Sequence, residues 1–188
     1  MSTPTRLTEL ENAVLGLVWR REPCSAYIVK REFATSASVS WSASAGSIYP
    51  LVKKLSAAGL LSLRQQPWGS GEKTLLSLTD AGRDALRSWV ATVPDKIGQP
   101  APDPIRTRAF FLDVLLEEDR LRFLNEAEKV TQSAIQELRS AMAVLPDAES
   151  KFELLATSGA VFQLRARLRW IRYLRSSAAK RLSPVRRK

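Results

Sequence analysis

The sequence predicts a mainly α chain with one small β-hairpin, and three observations carry that expectation. Residues 47–58 read as an amphipathic helix opening at Ser47, with Pro50 in its first turn. Residues 61–66 and 74–78 follow as short strand candidates joined by a glycine-containing tip. The stretch 94–104, PDKIGQPAPDP, holds four prolines and one glycine, and everything after it reads helical. Helix, hairpin and supporting helix in that order form an N-terminal winged helix-turn-helix, which sets a helix into a DNA groove. The expected organisation is a winged helix over 1–93, a Pro-rich linker over 94–104, a helical dimerisation domain over 105–182, and a disordered basic tail over 183–188.

The first helix should start at Thr8, where Thr8 and Glu11 make a T-x-x-E capping box. Leu10, Val14, Leu17 and Val18 then recur at helical spacing. Gly16 among them implies a close helix contact. Ser25 should cap a second helix whose apolar side is Ile28, Val29 and Phe33. Residues 35–46 show no clear period and read as loop. In the third helix Pro50 is tolerated only near the start, where amides have no intrahelical acceptor. Ser47 is therefore its expected N-cap, and Ile48, Leu51, Val52 and Leu55 its inward face. Gly59 fits a left-handed C-cap with Leu60 as the capping contact. Leu61/Leu63 and Leu76/Leu78 alternate with polar neighbours, as one-faced strands should, and 67–73 reads as the tip. Thr79 should cap the next helix, with Leu86, Trp89, Val90 and Val93 as its apolar face.

Beyond the linker, helices are expected over about 105–117, 119–145 and 149–180. The last has two apolar stripes. One runs Phe152, Leu155, Gly159, Phe162, Ala166, Trp170 and Tyr173; the other includes Val161, Leu164, Leu168 and Ile171. A monomeric surface helix needs one buried stripe. Two stripes imply its own chain on one side and a second subunit on the other, with Phe152, Leu155, Phe162, Leu164, Leu168 and Ile171 as the candidate dimerisation residues.

Composition narrows the function. The chain has 188 residues, no histidine and one cysteine, Cys24. Without histidine the usual neutral-pH base and most zinc sites are missing. Glu117/Glu118 and Glu126/Glu128 do not share a helix face, so they make poor acid–base pairs. An enzyme is not expected, and neither is a cofactor or metal. A lone cysteine fits a reducing cytoplasm, and Cys24 reads as a small apolar residue at a helix edge. No apolar run reaches the roughly 18 residues of a membrane span. The net charge is +10. Residues 165–188 hold ten basic residues and no acid, so the remaining chain balances. Arg165, Arg169 and Arg172 could pair with Glu126, Glu128 or Glu137 on the preceding helix.

Phosphate contacts supply most affinity for DNA, and base edges supply sequence preference. Tyr49 and Lys53, four apart, share the face that could enter a major groove. Ser44, Ser47 and the helix amino end suit a phosphate. Lys54 is expected on the DNA backbone. Arg64, Gly71 and Lys73 belong to the wing, and Tyr27 could add a phosphate hydrogen bond.

The block Trp41-Ser42-Ala43-Ser44-Ala45-Gly46-Ser47-Ile48-Tyr49-Pro50, with Lys53-Lys54-Leu55, Gly59-Leu60 and Leu78-Thr79-Asp80-Ala81-Gly82-Arg83, resembles the PadR family of transcriptional regulators. The helical second half is similar in arrangement to the longer subgroup of that family. The resemblance implies a homodimer joined through C-terminal helices, two winged heads on a roughly palindromic operator, and repression relieved by a small, often aromatic, effector. Trp89 and Trp170 are the candidate effector-binding residues, because flat aromatic compounds stack on indole. Leu76 and the single basic Lys73 depart from the family, where many members have Tyr and two basic residues in the wing. The rival reading is a winged-helix protein-interaction module without sequence-specific DNA binding.

Overall fold

The computed structural model describes residues 7–36, 39–95, 97–100, 102–143 and 151–179. The tail 183–188 and the Pro146 break lie outside them. The chain forms two compact units, Met1–Gln99 and Pro100–Lys188.

In the first unit, α1 (Glu9–Arg21) is buried on most of its circumference. Val14, Leu15 and Val18 are fully buried, and α2, α4, β2 and α5 all pack against it. Its start is the expected capping box: Glu11 N–H donates to Thr8 Oγ1 at 3.2 Å, and Thr8 N–H donates to Glu11 Oε2 at 2.8 Å. Then come α2 (Ala26–Ala34), α3 (Val39–Ser44), a 3₁₀ turn over Ala45–Ser47 and α4 (Ile48–Ala57). The helical α3 and its turn replace the expected loop. Trp41, Ala45, Ile48 and Val52 are spaced i, i+4, i+7 and i+11, a helical period hidden by the serines between them. Trp41 stacks on Phe33 with ring centroids 4.9 Å apart, and Ala45 is buried. Pro50 cannot donate to Gly46 and clashes with its carbonyl, which accounts for the break in helical winding at this point.

The wing is an antiparallel pair, β1 (Leu61–Trp68) and β2 (Gly71–Leu78), from Leu61 opposite Leu78 to Trp68 opposite Gly71. Both strands run further than expected, leaving the two-residue turn Gly69-Ser70. Gly69 at its first central position has φ 59°, the sign a type II′ turn demands there. Only the hairpin base is buried. Leu61, Leu76 and Leu78 join the core, whereas Leu63 is exposed because the ribbon has already left the helices. Cys24 exchanges two backbone hydrogen bonds with Leu76, adding a one-residue third strand. Its thiol is buried, and burial pushes it up to about 11, so it stays protonated and inert.

The exit from α4 is a Schellman motif: Leu60 N–H donates to Leu55 C=O, Gly59 N–H to Ser56 C=O, and Gly59 has φ 72°. α5 (Asp80–Ala91) locks this turn in place. Thr79 Oγ1 donates to Gly59 C=O at 2.7 Å and accepts from Gly82 N–H at 3.0 Å. Gly82 packs so closely that a Cβ there would collide with the Leu60 carbonyl oxygen. Leu86 is the buried residue of the outer part of α5, with Trp89 half-buried. Val90 and Val93 are exposed, contrary to the sequence expectation, since α5 touches the core only through its first two turns and Trp89.

The second unit contains α6 (Pro104–Ala109), a 3₁₀ turn over Leu112–Val114, α7 (Glu117–Ala143) and α8 (Lys151–Ala179). The helix expected over 105–117 is broken. Arg120 donates to the carbonyls of Leu112 and Leu115, giving these groups a partner outside a helix. α7 and α8 pack as an antiparallel pair: Arg172 meets Glu128 and Arg175 meets Asn125. Among the described residues, Leu124, Thr131 and Ile135 are the buried residues of α7, and Val161 and Ile171 those of α8.

Gly82→Ala should destabilise the fold by about 1–3 kcal/mol, because the neighbour is backbone and cannot rotate away. Gly16 should behave oppositely. A Cβ there would lie 3.8 Å from Leu86, an ordinary contact, and Gly16→Ala should stabilise by about 0.5–1 kcal/mol through helix propensity. Urea unfolding midpoints of both variants check the pair of signs.

Candidate nucleic-acid interface

α4 is amphipathic. Ile48, Val52 and Leu55 are buried, Leu51 is half-buried, and Tyr49 and Lys53 are exposed one turn apart. α2 packs against α4 and presents Tyr27, also exposed, with Lys30 one turn on. The Lys30 ammonium lies 5.6 Å from the centre of the Tyr49 ring, within cation–π range. Tyr27, Lys30, Tyr49 and Lys53 thus form one exposed strip of phenols and ammoniums across two helices. Lys30 was absent from the sequence reading. Its sequence signal is weak: it sits three residues after Tyr27, but it flanks the apolar side formed by Val29 and Phe33, and its partner Tyr49 lies on another helix.

Three expected residues sit differently. The amino end of α4 is not an open helix end, since the chain enters through the 3₁₀ turn in helical conformation. Ser47 has φ −89° and ψ −2° and makes no side-chain cap. Ser44 ends α3 and is half-buried. The tip of Lys54 bends back to the protein, although most of its side chain stays exposed. Its ammonium is 2.5 Å from Glu11 Oε1, and the Glu11 side chain is only 3% exposed. Glu11 Oε2 meanwhile accepts from the Thr8 amide and hydroxyl. The Lys54 hydrogen bond, helped by those from Thr8, outweighs burial and holds the Glu11 carboxyl below its usual value. The sequence showed Glu11 only as one half of a capping box.

In the wing, Arg64 and Lys73 share a face of the ribbon, and Gly71 pairs with Trp68. The Lys73 ammonium lies 4.5 Å from the centre of the Trp68 ring. At the wing base Arg83 pairs with Glu22 at 2.6 Å, and Glu22 also accepts from the Leu78 amide.

The two candidate effector tryptophans fall in different units. Trp89 packs against the first core and donates its indole N–H to Glu9 at 3.3 Å. Trp170 is half-buried on α8. Of the candidate dimerisation residues, Phe152, Leu155 and Phe162 are exposed. Ile171 is fully buried in its own unit, and Leu164 and Leu168 are half-buried on the same side of α8. The stripe containing these three is occupied within the chain, since the α7–α8 seam needs it, and a second subunit cannot use Ile171.

The family model for the transcriptional regulator PadR-like family matches residues 14–88, from α1 through the hairpin to α5. Over those residues the winged-helix unit is similar to the PadR-like family. Among related proteins, the negative transcriptional regulator PadR of Bacillus subtilis (strain 168) is 27% identical over 135 residues, 69% of this chain and 71% of that protein. The crystal structure of Bacillus subtilis PadR in complex with operator DNA superposes with a TM-score of 0.78 at 22% identity, covering 91% of this chain and 99% of that one. The structure of the same protein in complex with p-coumaric acid gives 0.75 at 21% identity, covering 96% and 99%. The PadR-like likeness thus extends in fold to both units.

Glu11 gives the first unit a defined acid response. Its carboxyl is depressed in the folded state, so its stabilising contribution is complete above the ordinary value of 4.5 and is lost as pH falls through the lower folded value. Urea unfolding of the wild type and Glu11→Gln should differ most at neutral pH and converge as pH drops below 4.5. A gap that stays constant across that range would contradict the assignment.

Proposed function

We propose that this chain is a DNA-binding transcriptional repressor of the PadR-like kind, acting in the cytoplasm as a homodimer on a roughly palindromic operator. The observation that carries the reading is the exposed strip of Tyr27, Lys30, Tyr49 and Lys53 across α2 and α4. A major groove admits an α-helix, and phenol and ammonium groups suit base edges and phosphates. The similar protein in Bacillus subtilis is a negative regulator, and its structure with operator DNA shares this fold. The wing residues Arg64, Gly71 and Lys73 add backbone contacts.

The homodimer reading rests on α8. With Ile171 and Val161 buried against α7, the opposite stripe of Phe152, Leu155, Phe162 and Tyr173 stays exposed. Exposed apolar surface of this extent, with four large side chains along one helix, marks a partner surface. A second copy then sets two heads roughly 34–36 Å apart, one turn of DNA. A small aromatic effector is the expected inducer, by analogy with the relative solved with p-coumaric acid. Trp89 and Trp170 remain the candidates to report it.

Binding to the DNA flanking its own coding region and to a random duplex, each over a salt series, tests this reading. Affinity for both should fall steeply with salt, by about 0.9 log units per log unit of salt for each phosphate contact. Tyr49→Ala should cost about 1–3 kcal/mol on the operator and less on the random duplex. Affinity insensitive to salt would favour the protein-interaction module instead.

A further inference from the structure

The register of the hairpin sorts its side chains into two unlike faces. Ser62, Arg64, Gln66 and Trp68 on β1 share a face with Gly71, Lys73, Leu75 and Ser77 on β2. The other face carries Leu63, Gln65, Pro67, Glu72 and Thr74 beyond its buried base. Both cations of the wing are therefore on one face, and its acid is on the other. Trp68 lies on the cationic face beside the two-residue turn and is 67% exposed. One side of its ring is covered by the Lys73 ammonium. The indole is thus partly fixed, which lowers the ordering cost of using it in a contact.

We propose that the wing meets DNA with this face and that Trp68 is its contact residue, its ring against the sugar wall of the minor groove while Arg64 and Lys73 reach the flanking phosphates. A minor groove about 6 Å wide is too narrow for a two-stranded ribbon and takes only its tip. Here the tip is Gly69-Ser70, and the ring beside it is the largest apolar group that comes within reach of the groove wall. The exposed ribbon from Ser62 to Trp68 spans about 20 Å, enough to cross from one groove to the next. The opposite face would set Glu72 against phosphate, where like charge repels it. Trp68 then adds affinity with little sequence preference, complementing the reading strip on α4. This inference rests on the DNA-binding function proposed above.

The test is fluorescence anisotropy with two probes, a duplex from the DNA flanking the coding region and a random duplex, titrated with wild type, Trp68→Ala, Trp68→Phe, Lys73→Met and Glu72→Gln. Trp68→Ala should weaken both duplexes by about tenfold. Lys73→Met should flatten the salt dependence by about 0.9, and Glu72→Gln should not weaken binding. The change in tryptophan emission on adding DNA should shrink in Trp68→Phe. Wild-type binding matched by Trp68→Ala to within about twofold, or an emission change unaltered in Trp68→Phe, overturns the wing assignment and leaves the function standing. A wild type that binds neither duplex overturns both.

Discussion

A single buried carboxylate fixes the frame of the winged helix. Glu11 closes the amino end of α1 through Thr8 and grips α4 through Lys54. α1 is the helix on which the rest of the unit is assembled, so this contact ties the candidate reading helix to the centre of the core. A buried carboxylate is costly unless paired and hydrogen-bonded. Glu11 is both, and removing either partner would leave charge or hydrogen-bonding capacity unmet. The far end of α4 is held by a different device. The Schellman turn at Gly59 hands its carbonyl to Thr79, and Gly82 lets α5 come against Leu60. Anchored at both points, α4 turns Ile48, Val52 and Leu55 inward and leaves Tyr49 and Lys53 outside.

The same economy of charge operates in the second unit. Asp103 caps α6 by accepting from the Ile105 and Arg106 amides, and its other oxygen takes Arg167 Nε at 2.6 Å. Burial alone would raise the Asp103 carboxyl; those hydrogen bonds together hold it below its usual value. Glu128 is flanked by Arg172 at 2.8 Å and Arg175 at 2.5 Å. Three of the arginines that make the end of the chain so basic are therefore occupied in joining α8 to α6 and α7, while Arg165 and Arg169 are exposed on α8. The charge excess at the end of the chain is in part a packing feature and cannot be read whole as a polyanion-binding surface.

Much of this was legible in the residues. The Thr8 capping box, the Gly59 exit, the Thr79 cap and the hairpin all rest on local geometry, which short motifs encode well. The helix before Ser47 was missed because its apolar period is spread among serines, and Ser47 lost its capping role with it. The pairing of Lys54 with Glu11 is not legible in the sequence because the two are 43 positions apart, and only the fold brings them together. Lys30 escaped for the same reason: its role is set by Tyr49 on another helix. The double stripe on α8 was visible as a pattern, but which stripe faces α7 depended on tertiary packing. Val90 and Val93 kept helical spacing and still emerged exposed, since periodicity says nothing about where a core stops.

The adjacent lysines of α4 separate the reading helix from its anchor, and comparing them is the most direct test of the account. Duplex binding and urea unfolding should be measured for Lys53→Ala and Lys54→Ala under one set of conditions. Lys53→Ala should weaken binding and leave the unfolding midpoint in place. Lys54→Ala should lower the midpoint and, after correction for the folded fraction, leave binding largely intact. The reverse pattern, with Lys54 governing affinity and Lys53 governing stability, would contradict the orientation of α4 on which the proposed function depends.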